Sequence, residues 1–525
     1  MRTNDVVSSG HENTTLLRYE EIDKNYPNTY SYDDIMNHEI KGVLLVDRYI
    51  DGKLYQTYSS DEAHVLTIAA TRLGKTTQCV IPLVASFANQ KVKKSFIVSD
   101  PKCELYRLLS NDLKDKGYDV LLLNFRDYKH SELWNPLTSI YKKYHEIMSM
   151  DKKIEGITID GEYKFKFDDH IYDNYNDVNS AIKNLVDIEL NELDKEINRI
   201  AMAVIPPDES SSSDEYWTIA PRKFLKALLY SMLEDSMENR GCKINENTFS
   251  FNTLFKIFCT LTENERYDDD GYFTSREEGS KAMEEARAII ENAPNTRLCV
   301  ISSFIGKMEA YSSSNMRLIT SRNSFDMSKL ISDKPVAIFI CYPDQTKLFY
   351  EVISSFVKEA FNYLIDYCDN VLEGKLKKPF YFILDEFGNF PAIPDFDNVI
   401  SACGGRNIWF YLVLQSYAQL DNVYGRGNAQ VIKDNLNIHI FLGSNNPDTL
   451  SEFSRACGEK TRLSALSALK GDKEEIEYYD IETVPLVPKS ILSSLGNGEC
   501  IITQANCGYV LYSKLERYYK CKKFD

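Results

Sequence analysis

The 525-residue chain predicts an α/β protein, with a mainly parallel sheet covered by helices and interrupted by a long helical insertion. Three observations predict it. Short apolar runs alternate with amphipathic helical stretches from residue 65, a succession that builds parallel sheets. A phosphate-loop pattern, Ala69-Ala70-Thr71-Arg72-Leu73-Gly74-Lys75-Thr76, sits between the first such run and the first helix. A second block of apolar runs returns near residue 336, after about 180 residues of mostly helical periodicity.

In order, residues 1–37 are polar and rich in Tyr and Asn, an arm or a docking strand. Residues 42–46 and 53–58 flank Asp51-Gly52, whose glycine suits a hairpin turn with positive φ. Residues 65–69, 95–99 and 120–124 read as strands, with helices at 75–89 and 104–116 between them. From about 145 to 324 the chain is helix-rich. A hairpin signal occurs at 157–167 around Asp160-Gly161, and a Pro/Ser-rich hinge at 206–213 separates long amphipathic helices at 179–204 and 221–237. Strands resume at 336–341, 380–384, 408–414 and 438–442, and short strands fill 486–519. The expected organisation is an N-terminal arm and hairpin (1–60), a first part of a nucleotide-binding domain (61–145), an inserted mainly helical domain (146–325), and the second part with C-terminal strands (326–525).

Composition narrows the function. Hydrophobic residues are 43% and charged residues 26%, the balance of a folded globular protein. The longest apolar runs are strand-sized, well short of the ~18–20 residues a spanning helix needs, and residues 1–15 lack the apolar centre of a secretory signal. A net charge of −17 argues against indiscriminate coating of duplex DNA, which needs a basic field, but leaves room for a basic channel inside an acidic shell. The twelve cysteines include no C-x-x-C pair and read as buried reduced thiols. The seven histidines show no metal spacing. Basic clusters at 91–94, 375–378 and 520–523 read as solvated surface.

The chemistry concentrates at strand ends. Thr71, Arg72, Leu73, Gly74, Lys75, Thr76 and Thr77 form the candidate phosphate cradle: backbone N–H groups wrap a β-phosphate, Lys75 reaches the β and γ oxygens, and Thr76 offers a hydroxyl to Mg²⁺. Gly74 lets backbone approach phosphate without a Cβ. Ala69 stands where the strict pattern has glycine. Phe380-Tyr381-Phe382-Ile383-Leu384-Asp385-Glu386 is a doubly buried strand ending in two acids. Asp385 is a candidate Mg²⁺ holder and Glu386 a candidate for polarising the attacking water, although apolar strands also end in acidic turns for no catalytic reason. The Lys75 and Asp385 strands are expected to adjoin.

Gln415 ends the apolar run 408–414, next to the acidic strand. It is either a sensor of the γ-phosphate or a satisfied strand-end amide. Arg406, in the turn Cys403-Gly404-Gly405-Arg406-Asn407, is either an arginine given to a neighbouring subunit's γ-phosphate or a solvated loop residue.

Together these blocks resemble the type IV secretion coupling proteins, the TraG-like ATPases of conjugative DNA transfer. The likeness runs from about 65 to 519. It includes Ser99-Asp100-Pro101-Lys102-Cys103-Glu104-Leu105-Tyr106, similar to the family's D-P-K-G-E-L-Y with cysteine at the glycine. It also includes Trp134-Asn135-Pro136-Leu137, Asp385-Glu386-Phe387-Gly388, Leu414-Gln415-Ser416, Gln419-Leu420 and Tyr424-Gly425, in order. The resemblance implies a RecA-like P-loop NTPase domain interrupted by an all-α domain, a homo-hexamer with ATP and Mg²⁺ at subunit interfaces, and transport of relaxase-bound, single-stranded DNA into a type IV secretion channel.

By resemblance Lys75 and Thr76 take nucleotide roles, Asp385 and Glu386 metal and water roles, Gln415 the sensor role and Arg406 the trans arginine, although many relatives carry a basic residue where this chain has Gly404. Typical members begin with two membrane helices. Their absence here implies a cytoplasmic chain held at the inner membrane face through a separate anchor, or a soluble form. Two other readings stay open: a nucleotide-gated recruitment receptor with little turnover, and a double-stranded DNA pump of the segregation or packaging type.

Overall fold

The computed structural model describes residues 15–18, 28–159, 162–205, 216–238, 243–262, 271–343, 349–371, 373–470, 474–505 and 507–515. The hinge at 206–213, the turn Asp160-Gly161 and the basic cluster at 520–523 lie outside them. The chain divides into two compact units: 1–122 with 327–345 and 357–525, and 123–326 with 346–356. The second unit thus opens at Leu123, ahead of the expected residue 146.

The first unit is built on a ten-stranded sheet: β1 (Thr15–Arg18), β2 (Val65–Ala69), β3 (Ser95–Ser99), β4 (Asp119–Asn124), β5 (Val336–Cys341), β6 (Phe380–Leu384), β7 (Ile408–Leu414), β8 (Ile438–Gly443), β9 (Glu499–Gln504) and β10 (Tyr509–Lys514). The spatial order is β1-β10-β9-β8-β2-β7-β6-β3-β5-β4. From β8 across to β5 every pair is parallel, whereas β9 runs antiparallel to β8 and β10 to β9. All seven apolar runs read as strands lie in this sheet. Their residues are apolar without alternation because both faces are covered: β2, β3, β5 and β6 are buried at every position. Phe87, Phe96, Ile383, Tyr411 and Val413 belong to one core cluster around these strands.

The strand order corrects one expectation. β7 lies between β2 and β6, so the strands leading to Lys75 and Asp385 do not adjoin. The tip of the Gln415 strand separates them.

The N-terminal hairpin pairs Leu44–Ile50 with Lys53–Tyr58 around Asp51 and Gly52, at φ 49° and 78°. Two successive left-handed residues are what a type I′ turn requires.

The second unit is largely helical, led by the helices Tyr175–Val204 and Tyr216–Glu238. Its core includes Phe224, Phe258 and Phe304, with ring centroids 5.1–6.0 Å apart. It is not all-α: Glu155–Ile159, Glu162–Phe167 and His170–Tyr172 form a three-stranded antiparallel sheet. The Trp134-Asn135-Pro136-Leu137 block is packing. Trp134, Asn135 and Leu137 are buried, Trp134 meets Phe356 edge-on, and Asn135 Nδ2 donates to the Phe249 carbonyl at 2.7 Å.

Candidate nucleotide site at the strand tips

The loop after β2 turns through two left-handed residues, Arg72 at φ 69° and Gly74 at φ 84°. Glycine takes such a φ freely; at Arg72 a side chain is held in it. A Cβ at Gly74 would stand 3.1 Å from Gln78 Oε1 and 3.2 Å from Thr77 Oγ1, so the turn closes tightly on the helix that follows. The loop leans on the tip of β8. Ala70 N–H donates to the Gly443 carbonyl at 2.8 Å, and a Cβ at Gly443 would come within 2.7 Å of Leu73 Cδ1. Thr77 uses its hydroxyl locally, donating to the Gly74 carbonyl at 3.1 Å. The helix opens with a π-helical turn over Thr76–Val80 before continuing as Ile81–Asn89, a wide turn often found at functional sites.

The acids arrive from β6. Thr76 Oγ1 donates to Asp385 Oδ2 at 2.7 Å, and Lys75 Nζ lies 3.3 Å from Glu386 Oε1. Asp385 is buried, which pushes its pKa up; the Lys75 charge and the Thr76 hydroxyl pull the other way. Lys75 Nζ is also buried and makes no hydrogen bond of good geometry. The short Lys75–Glu386 separation is therefore a charge contact and not an aligned bond, and the ammonium keeps its donors for an acceptor of better geometry. Glu386 adopts φ 57°, a left-handed kink that turns the chain out of β6 as the carboxylate meets Lys75. Gln415 follows β7 between the two strands, its N–H bonded to Gln419 Oε1 at 2.7 Å and its carbonyl to Ser444 Oγ at 3.1 Å. The side chains of Lys75, Thr76, Asp385 and Glu386 thus gather at one end of the parallel sheet, beside the β7 tip that carries Gln415, at the carboxyl ends where open α/β sheets bind ligands.

Residues 34–475 match the sequence family described as type IV secretory system conjugative DNA transfer. The chain belongs to that family. Relatives in sequence include the VirD4 proteins of Agrobacterium fabrum, 20% identical over 458 residues and covering 85% of this chain and 58% of VirD4, and of Rhizobium radiobacter, 21% identical over 443 residues, 82% and 54%. The chain spans little more than half the length of these curated relatives. Solved structures with the same fold include the bacterial conjugative coupling protein TrwBdeltaN70, at TM-score 0.57 and 14% identity over 93% of this chain and 92% of the TrwBdeltaN70 chain. TrwB in complex with ADP and Mg²⁺ matches at TM-score 0.55 and 15% identity, with the same coverage.

Arg406 stands apart from this cluster. It precedes β7 and so lies at the opposite end of that strand from Gln415. Its Nε and Nη2 donate to Asp369 Oδ1 at 3.1 and 2.8 Å, and its Nη1 donates to the Ala402 carbonyl at 3.1 Å. The guanidinium is thus held by the Asp369 carboxylate and the Ala402 carbonyl.

Three further residues brace the site and were given no role from sequence. Ser99 Oγ donates to the Asp385 carbonyl at 2.8 Å. Asp100 accepts from the N–H groups of Glu104 and Tyr106, both at 2.9 Å, anchoring the following helix by its N-terminus; burial raises its pKa against these bonds, with the Asp385 charge adding to the rise. Gln419 wedges against Gly388, where a Cβ would fall 2.3 Å from the Gln419 side chain. The Ser-Asp-Pro-Lys and Gln-Leu blocks were visible as motifs, but nothing local says what they hold.

Cys103 takes φ 56° at the position where the resemblance has glycine, a backbone region glycine enters without strain. It is disulfide-bonded to Cys341, 238 residues away, which corrects the expectation of reduced thiols throughout. Among the described residues Cys79, Cys259, Cys299, Cys368, Cys403, Cys457 and Cys500 are free. Among the described residues no helix is long and apolar enough to cross a membrane, and no three potential metal ligands cluster.

Proposed function

We propose that this chain is an ATP-hydrolysing coupling motor that links relaxase-bound, single-stranded DNA to a type IV secretion channel and drives conjugative transfer. The observation that carries the reading is the Thr76–Asp385 hydrogen bond with the Lys75–Glu386 contact beside it. These four side chains are the set that phosphoryl transfer needs: a cation, a hydroxyl–carboxylate pair and a second carboxylate. Family membership supports the transfer role, and the named complexes of TrwB with ADP, Mg²⁺ and a non-hydrolysable ATP analogue support a nucleotide as ligand.

The residues fit that ligand. Lys75 Nζ is buried without a hydrogen bond, which suits an incoming phosphate oxygen, and Gly74 holds a left-handed turn in which a Cβ would crowd Gln78 and Thr77. Thr76 and Asp385 are the residues that would hold Mg²⁺, which when bound offsets charge on the phosphate oxygens. Lys75 counters negative charge on the transferred group. Glu386 orients a water and accepts its proton, and Gln415 reports the phosphate to β7. Subunits assemble as a homo-hexamer, cytoplasmic and held at the inner membrane face through a separate anchor protein.

Phosphate release with and without single-stranded DNA tests the reading, together with sedimentation in ATP. Rings that turn over and are stimulated by single strands support it. ATP binding with no turnover under any of these conditions would replace the motor with a recruitment receptor, and stimulation by duplex alone would replace it with a double-strand pump.

A further inference from the structure

A second polar cleft lies in the same unit at the other end of the strands, where β2, β7 and β8 begin. Its volume is about 500 Å³, and its lining includes Asp61, Glu62, His64, Trp409, Asp434 and Gly404.

His64 is the informative residue. It is only 4% exposed, and its Nδ1 accepts from the Phe410 N–H at 3.0 Å. A neutral imidazole whose Nδ1 accepts carries its proton on Nε2. Burial holds the His64 pKa down at about 4, so the ring is neutral near pH 7. No described residue accepts from Nε2. Across from it, a Cβ on Gly404 would stand 4.0 Å from Nε2 and 3.6 Å from the Trp409 ring; glycine leaves that space to the cleft. A buried side chain therefore presents an unpartnered N–H donor to the cavity, and such a donor calls for an oxygen acceptor.

The charges around it are of one sign. Glu62 is already paired with Lys94, which Gly42 also holds through its carbonyl. Asp61 and Asp434 are exposed, and among the described residues no lysine or arginine lines the cleft. This field repels phosphate and attracts cations. A bare metal ion is disfavoured, because no three ligating groups of the described residues converge. A polyamine satisfies the carboxylates but brings no acceptor for Nε2. A lysine or arginine within a peptide brings both, a cation for the carboxylates and the Trp409 face and a main-chain carbonyl for the imidazole.

We propose that this cleft docks a basic segment of a partner protein, its cationic side chain lying over Trp409 toward Asp61 and Asp434 and one of its carbonyls accepting from His64 Nε2. The site is separate from the nucleotide site and does not depend on ATP turnover.

Calorimetry on the full chain with acetyl-Gly-Arg-Gly-amide, acetyl-Gly-Gly-Gly-amide and spermidine tests it, alongside ¹⁵N-histidine NMR of the Nε2–H. Expected are saturable binding of the arginine peptide with Kd of about 1 mM or tighter, weaker binding of the other two probes, and a shift of the His64 Nε2–H resonance. Asp61→Asn combined with Asp434→Asn, both at exposed positions, should weaken peptide binding at least ~5-fold by removing both carboxylate charges. No saturable binding, spermidine binding as tightly as the peptide, an unmoved Nε2–H, or unchanged affinity in the double variant would each overturn the proposal. So would sedimentation showing that the double substitution abolishes self-association, since the cleft would then be a contact between copies.

Discussion

Thr76 Oγ1 donates to Asp385 Oδ2 at 2.7 Å across 309 residues of sequence. That bond joins the helix after the phosphate loop to the end of β6, over the tip of the strand between them. Asp385 is a buried carboxylate with a raised pKa, and the hydroxyl and the Lys75 charge are what favour its ionised form. Asp385→Asn relieves the desolvation and still offers Thr76 an acceptor. The variant should fold with near-normal stability while Mg²⁺-dependent nucleotide affinity drops ~10-fold or more. Nucleotide titrations at several Mg²⁺ concentrations check this.

Lys75→Ala and Glu386→Gln should separate binding from chemistry. Both should lower DNA-stimulated phosphate release more than ~100-fold. Lys75→Ala should also weaken nucleotide binding, whereas Glu386→Gln should preserve it. Near-normal hydrolysis by both would remove the site assignment.

Gly388 and Gln419 should be energetically coupled. Alanine at 388 places a methyl 2.3 Å from the Gln419 side chain and must dislodge the amide that holds Gln415 N–H. Gly388→Ala should cost about 1–3 kcal/mol, and adding Gln419→Ala should return at least half of it. Urea denaturation of the four variants of the cycle measures the coupling; strictly additive costs would show that the two residues do not press on each other.

Asp47 gives the first unit a pH dependence. It is buried, accepts from Gln56 Nε2 at 2.7 Å, and burial lifts its pKa to about 7 from 3.8. The folded chain therefore keeps a proton that the unfolded chain releases, so this contribution is full below about pH 4, is lost as pH climbs to about 7, and is gone above it. Between pH 5 and 8 the loss should be about 2–3 kcal/mol. Asp47→Asn, with no proton to lose, should show a flatter profile by urea denaturation, and an unchanged slope would exclude Asp47 as its source.

Arg406 tests the trans-arginine expectation. Serving a neighbour would require leaving Asp369 and the Ala402 carbonyl. The Asp369 side chain is 55% exposed, so their pair is worth under ~1 kcal/mol. Arg406→Ala should keep ATPase activity within about 2-fold. A loss approaching the ~10³-fold of a missing arginine finger would restore the trans role.

The strands were legible because burial on both faces writes itself as unbroken apolar runs, 380–384 and 408–414 most plainly. The phosphate loop was legible because its constraint is local: a turn that needs Gly74, then a lysine and a hydroxyl at fixed offsets. Both belong to contiguous chain, where sequence spacing is physical spacing. Strand order is not of that kind. Apolar runs say that a strand is covered but not by which neighbour, so only pairing across the sheet put β7 between β2 and β6. The same holds for the orientation of single side chains, decided by partners tens or hundreds of residues away: Arg406 turned back on Asp369, Cys103 met Cys341, and His64 accepted the Phe410 N–H at Nδ1 and left Nε2 facing a cleft.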